Sequence, residues 1–244
     1  MPMTLSHPAA VLPFRRLGFP MVAMVIGSMV PDIPLFMKWS QGYEATHSLL
    51  GVFTVDIVMT IVLLAAWTWR MREALVDLSP AYVRMRLAPR TSLERRQRLL
   101  VPAEACLRAG THVLWDAFTH EGRWGWRHMD WLRSEHLGLV GTSWAQYVSG
   151  VLGLAIVGWT VVAYFRAAPP TDLDRPAPVL PTSVGPFVVA VAALTGVATA
   201  FATLHRGIHA VAFNSVVNGL IALALGLGCA CAVWIVRRPW RVGV

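Results

Sequence analysis

The sequence predicts an all-α membrane protein: a polytopic bundle of about five spanning helices with a short N-terminal helical hairpin. Two observations predict this class. Of the 244 residues, 56% are hydrophobic and only 14% are charged, which is too apolar a balance for an ordinary soluble domain. The apolar residues also collect in runs of roughly 20, the length that crosses the hydrocarbon layer of a bilayer.

Two short apolar segments come before the long runs. Residues 4–17 and 18–31 are interrupted by prolines, which break a helix, so we interpret them as a dipping helical hairpin. A single span over residues 17–37 is the alternative. The predicted spanning helices cover residues 49–69, 99–120, 144–165, 186–204 and 212–236.

Basic residues lie beside these runs and predict the orientation of the chain. The arginine-rich loop 70–102, Arg166 and the C-terminal arginines fall on one side of the predicted bundle. By the positive-inside rule that side is the cytoplasm, and it includes the C-terminus. We therefore interpret the net charge of +8 as a set of signals for membrane orientation, and we expect no nucleic-acid partner. The oligomeric state stays open.

We expect one integral-membrane helical domain over residues 1–244. The hydropathy pattern indicates a single bundle, because no linker rich in proline, glycine and serine is long enough to separate two domains. Within it, residues 1–122 hold the candidate site and residues 144–236 form membrane-anchoring helices.

A polar stripe runs along the predicted helix 99–120. Its members are spaced four residues apart, and each step drifts only about 40° around the helix. The stripe consists of Glu104, Arg108, His112, Asp116 and His120. Burying imidazole and carboxylate groups in an apolar helix is costly unless each has a partner. The stripe therefore predicts a buried polar site.

A metal ion is the partner that these side chains suggest. His112 and Asp116 can bind one ion from one face of the helix, and Asp32 and His47 would add ligands from other segments. Such a mixed nitrogen and oxygen set suits zinc, and also manganese or iron. His120 continues the stripe as a further candidate ligand. The alternative is a buried structural pair of His112 with Asp116.

Four sequence blocks carry a family resemblance: TLSHPAAVLP, GSMVPD, THSLLG and THVLWDAFTH. They resemble an uncharacterised bacterial membrane family that opens in this way. More distantly, they are similar to the YdjM-like inner-membrane metal-dependent hydrolases and to the zinc-dependent phospholipase C superfamily. The resemblance implies an inner-membrane location and the metal ligands His7, Asp32, His47, His112 and Asp116. The chain departs from the YdjM-like pattern at Tyr43 and Glu44, where those proteins carry His-Arg.

The functional hypothesis is a membrane-embedded, metal-dependent hydrolase that acts on phosphoesters or lipid head groups. In this interpretation a metal-activated water attacks the substrate, and Asp32 or Asp116 serves as general base. Membrane lipid is the expected partner. The alternatives are a non-catalytic membrane scaffold and a transporter that uses the polar stripe as a relay.

Overall fold

The structure is a computed structural model that describes residues 4–171 and 176–238, and these are mostly helical. The predicted cytoplasmic end of the chain, residues 239–244, lies outside the described residues. The helices are α1 Met21–Met29, α2 Ile33–Phe36, α3 Ser40–Thr46, α4 Leu49–Phe53, α5 Val55–Ala66, α6 Arg72–Leu78, α7 Ala81–Arg84, α8 Arg95–Thr119, α9 Trp124–His128, α10 Asp130–Arg133, α11 Gly141–Ala167, α12 Val184–Thr203 and α13 Ile208–Arg237.

Short elements complete the chain. A two-stranded antiparallel sheet pairs β1 Glu135–His136 with β2 Leu139–Val140. Three segments are 3-10 helices and one is a π-helix: Thr4–Leu17, Val30–Asp32, Leu204–Arg206 and Trp67–Met71, respectively. The all-α fold class holds for the described residues.

Three helices, α11, α12 and α13, are long and apolar enough to cross a membrane. They correspond to the predicted spans 144–165, 186–204 and 212–236. The predicted count of about five spans is not confirmed. The segment 49–69 is broken at Thr54, where the backbone leaves helical geometry between α4 and α5. Helix α8 is continuous but carries Arg108 and Asp116 as well as its basic first turn, so it falls short in apolar character.

Contacts divide the structure into two compact units: Met1–Ala65 with Leu93–Val162, and Ala66–Ser92 with Ala163–Val244. The prediction of a single integral-membrane domain over residues 1–244 stays a prediction.

In the first unit, α1 packs against α8. The two helices meet closely at Gly27, where an added Cβ atom would stand 3.2 Å from the Cβ of Arg108. A larger residue there would require Arg108 or the helix that carries it to shift by a few tenths of an ångström. The N-terminal 3-10 helix contacts α1 across a turn at Gly18, which has a positive φ of 79°. Pro31 lies in the 3-10 turn that follows α1 and directs the chain toward α2.

In the second unit, Asp77 holds three segments together. Its carboxylate accepts hydrogen bonds from Arg84 Nη2 at 2.8 Å, Trp234 Nε1 at 2.8 Å and the Val179 backbone N–H at 2.9 Å. Burial alone would raise the pKa of Asp77, but these hydrogen bonds and the Arg84 charge lower it below its ordinary value. Trp234 and Leu78 lie in the hydrophobic cluster beside this network.

Asp77→Asn is therefore expected to destabilise the protein by about 1–3 kcal/mol, because it weakens charge-assisted hydrogen bonds. A lowered folded-state pKa stabilises the protein above the ordinary aspartate value near pH 3.9, and this stabilisation is lost as the pH falls through the folded value. Unfolding followed by circular dichroism in detergent at pH 7 checks the loss. The exposed Asp130→Asn is the matched control, and an equal loss there would contradict the prediction.

Candidate metal centre

Four of the predicted site residues converge in the first unit: Asp32, His47, His112 and Asp116. Each offers one ligand atom, and these atoms all lie within 4.8 Å of one another. Asp32 ends the turn after α1, His47 caps the end of α3, and His112 and Asp116 lie four residues apart on α8. All four are at most 4% exposed. Segments far apart in sequence thus meet at one buried point.

The distances between these atoms lie near those found around one small cation. His47 Nε2 lies 3.1 Å from Asp116 Oδ2 and 3.9 Å from Asp32 Oδ1. His112 Nε2 lies 3.5 Å from Asp116 Oδ2 and 3.4 Å from Asp32 Oδ1. A tetrahedral ion with ligands about 2.0–2.2 Å away separates its donors by about 3.3–3.6 Å. The group could hold a metal ion.

Both imidazole rings are anchored to backbone carbonyls. His112 Nδ1 lies 2.7 Å from the Ser28 carbonyl oxygen, and His47 Nδ1 lies 2.8 Å from that of Tyr43. A carbonyl oxygen only accepts, so each Nδ1 carries the proton and donates it. In a neutral ring the Nε2 is then a lone pair that faces carboxylate oxygens. The Nε2 atoms and the carboxylate oxygens are then all hydrogen-bond acceptors, and they face one another in a buried place. Such an arrangement requires a cation or additional protons between them.

The carboxylate of Asp32 is also held in place. Thr4 Oγ1 donates to Asp32 Oδ2 at 2.5 Å, which leaves Oδ1 toward the two imidazoles. Thr46 Oγ1 donates to the Pro31 carbonyl at 2.8 Å and fixes the turn that carries Asp32. Sequence reasoning missed both threonines. Their only signal in the sequence was position: Thr46 directly precedes His47, and Thr4 lies three residues before His7.

His7 and His120, the other two predicted ligands, flank the opposite oxygen of Asp116. His120 Nδ1 lies 3.6 Å and His7 Nε2 lies 4.0 Å from Asp116 Oδ1. The His7 ring stacks on the His112 ring with centroids 3.7 Å apart. Both residues therefore border the four-residue group without joining it.

Burial shapes the ionisation of two groups at the edge of this cluster. Burial, with the nearby His112 as a smaller cause, lowers the pKa of His7 to about 4, so its ring is neutral at pH 7. Burial also raises the pKa of the Tyr43 phenol, and the negative Asp116 and Asp32 add to this effect. A neutral imidazole is the form that binds metals.

The remaining members of the polar stripe, Glu104 and Arg108, are fully buried on α8. Arg108 Nη2 donates to Met24 Sδ at 2.8 Å, and its guanidinium carbon lies 4.5 Å from the centre of the Phe14 ring. Within the described residues, the Glu104 carboxylate oxygens accept no hydrogen bond. The stripe thus divides into a candidate metal-binding half and a half buried against the N-terminal segments.

Comparison with known proteins gives a family without an assigned activity. Searches of curated proteins and of solved structures find no match to the chain. The resemblance to YdjM-like hydrolases and to phospholipase C consequently rests on the sequence blocks alone. The family described as domain of unknown function DUF4184 matches residues 1–233. Because this match covers nearly the whole chain, the protein belongs to the DUF4184 family.

Proposed function

We propose that the protein is a membrane-embedded, metal-dependent hydrolase of phosphoesters. The observation that carries the proposal is the convergence of two anchored Nε2 lone pairs with two carboxylate oxygens. Buried groups of this kind are costly without a cation. The order of the motifs, which resembles metal-dependent hydrolases, supports the choice of reaction.

Asp32, His47, His112 and Asp116 would hold the ion, and their mixed donors suit zinc, with manganese or iron as alternatives. When bound, such an ion supplies Lewis acidity and a hydroxide nucleophile at neutral pH. His7 and His120, the two further proposed ligands, lie at the neighbouring Asp116 Oδ1 and would contact only an ion displaced toward that oxygen. The Ser28 and Tyr43 carbonyls orient the two central rings, and Thr4 orients Asp32.

Of the two carboxylates proposed as general base, Asp116 is the better placed. Asp32 already uses Oδ2 to accept the Thr4 hydroxyl, and its Oδ1 faces the imidazoles. Asp116 Oδ1 faces away from that pair and toward His120, whose side chain is 29% exposed. Asp116 can accept the proton of an attacking water, and His120 can pass it toward solvent.

The proposed setting is the bacterial inner membrane, with the C-terminus in the cytoplasm and the site near the opposite face. The three apolar helices and the clustered arginines support this placement. Spans at 49–69 and 99–120 remain part of the proposal. Membrane lipids that carry phosphoester head groups are then the nearest substrates.

Metal analysis tests the centre directly. Protein purified in mild detergent without chelator and dialysed against zinc, manganese or iron is expected to retain about one ion per chain. His112→Ala and His47→Gln should lose it, whereas the exposed His128→Ala should keep it. Hydrolysis of bis(p-nitrophenyl) phosphate is measured on the same samples. Absence of metal from the wild type refutes the centre, and metal without turnover refutes the hydrolase.

Thr4→Val is expected to weaken metal affinity about 10–100-fold. The substitution keeps the shape of the side chain but removes the hydroxyl that fixes Asp32 Oδ2, and residues that orient ligands typically contribute this much. Competition with a fluorescent zinc chelator measures the affinity. Thr195→Val, which removes a hydroxyl that bonds within α12, is the control. Equal affinities for the two variants would contradict the role assigned to Thr4.

A further inference from the structure

A cavity of about 410 Å³ adjoins the candidate metal centre in the first unit. The rings of His7 and His112 form part of its lining. The rest of the apolar lining comes from the N-terminal 3-10 helix, α8 and α11, and consists of Ala9, Ala10, Leu114, Trp115, Gly153 and Ile156. Leu114 and Ile156 are 63% and 50% exposed, so the cavity opens between α8 and α11.

The opening lies at the depth of hydrocarbon if α11 crosses the membrane. Helix α11 has 27 residues and is therefore about 40 Å long at 1.5 Å per residue. Gly153 and Ile156 line the cavity and fall in the middle third of that length, and Ser149 lies at its edge. A ligand that enters from this side comes from the apolar layer rather than from water.

The hydroxyl groups that line the cavity belong to Ser6, Ser28, Thr111 and Ser149. Ser28 Oγ donates to the Val25 carbonyl at 2.8 Å. Ser149 Oγ donates to the Ala145 carbonyl at 2.5 Å, and Thr111 Oγ1 donates to the Arg108 carbonyl at 2.8 Å. Trp115 Nε1 donates to Ser149 Oγ at 3.3 Å. No Lys, Arg, Asp or Glu is among the lining residues that the structure describes. Apart from the imidazoles and these hydroxyl groups, the lining is carbon, which favours an apolar occupant over a sugar or a free phosphate.

We propose that this cavity receives a hydrocarbon chain of a membrane phospholipid whose phosphoester group lies at the metal centre. This inference rests on the proposed function, because it names the substrate class of the same site. The apolar cavity is continuous with the rings of His7 and His112. One amphiphilic molecule can therefore place its hydrocarbon chain in the cavity and its polar head group at the metal ligands. The phospholipid enters sideways between α8 and α11.

Photolabelling tests the proposal on the full chain in phosphatidylglycerol and phosphatidylcholine vesicles. The probe is a minor fraction of phosphatidylglycerol with a diazirine at the middle of one acyl chain. Adducts are expected at Thr111 and Ser149 inside the cavity, and their yield is normalised to labelling of the outward-facing Trp159. Ile156→Trp should lower this ratio about tenfold, the equivalent of excluding about two methylene groups.

Val151→Trp is the matched control, because Val151 lies on the opposite face of α11 and does not line the cavity. Its ratio should equal that of the wild type. Equal ratios in the two tryptophan variants, or labelling at Trp159 alone, overturn the proposal. Metal content is measured on the same preparations. Labelling of the cavity in protein without metal would support the chain-binding cavity and refute the metal centre. Bound metal without labelling of the cavity would support the metal centre and refute the chain-binding cavity.

Discussion

Chelation of divalent metal is expected to lower the unfolding temperature of the purified protein by about 10 °C. Without a cation, the Asp32 and Asp116 carboxylates face each other and the Nε2 lone pairs of His47 and His112 in a buried place. A ligand present at about a thousand times its dissociation constant stabilises the folded state by about 4 kcal/mol, and each kcal/mol shifts the midpoint by about 2–4 °C in a chain of this size.

The comparison that decides this result uses variants of single histidines. Thermal unfolding in detergent is followed with and without a strong chelator. His112→Ala should unfold at the lower temperature in both conditions, since it has no ion to lose. His128→Ala removes an exposed histidine and should keep the full response. If the chelator leaves the unfolding temperature of the wild type unchanged, the result would indicate that the site holds protonated imidazoles paired with aspartates instead of a metal ion.

Arg108→Ala is expected to destabilise the protein by about 3–5 kcal/mol. The Arg108 side chain is 0% exposed and packs over the Phe14 ring and against Met24 Sδ. Glu104 lies one turn away and is equally buried, so loss of the guanidinium leaves a carboxylate without a nearby cation. Truncation of a large, fully buried side chain typically costs this amount, and the loss of a nearby positive charge from a buried carboxylate adds to it.

A double variant separates the charge effect from packing. Arg108→Met with Glu104→Gln removes both charges while keeping most of the volume, and should recover most of the lost stability. Arg98→Ala on the same helix removes an exposed arginine and should change the free energy of unfolding by less than about 0.5 kcal/mol. Urea unfolding in detergent measures all three. Proton flux in liposomes that stops in Arg108→Ala would instead favour the transporter hypothesis.

Half of the candidate centre follows from helix geometry. His112 and Asp116 are four residues apart, so any helix through them places both on one face. Asp32 and His47 could be joined to them only through the resemblance of the sequence blocks, because their contacts depend on how α1, α3 and α8 pack. The anchoring of the rings by the Ser28 and Tyr43 carbonyls has no sequence signal, since any residue supplies a carbonyl.

The fold shows the same division between local and tertiary causes. The uninterrupted apolar runs of α11, α12 and α13 can be predicted from their length and composition. The break at Thr54 lies in an equally apolar stretch that contains no proline. A close local contact lies three residues before the break, at Gly51, where an added Cβ atom would lie 1.8 Å from the Ala45 carbonyl oxygen. Composition alone does not reveal such a contact.

The close approach at Gly27 has a consequence for how the protein could change over time. Gly27 lies against Cβ and Cγ of the Arg108 side chain, so the spacing between the segments that carry Asp32 and His112 depends on this contact. A bulkier residue at that crossing would move one ligand away from the other without altering either. Disabling changes can therefore arise at Gly27, a residue that offers no ligand atom of its own.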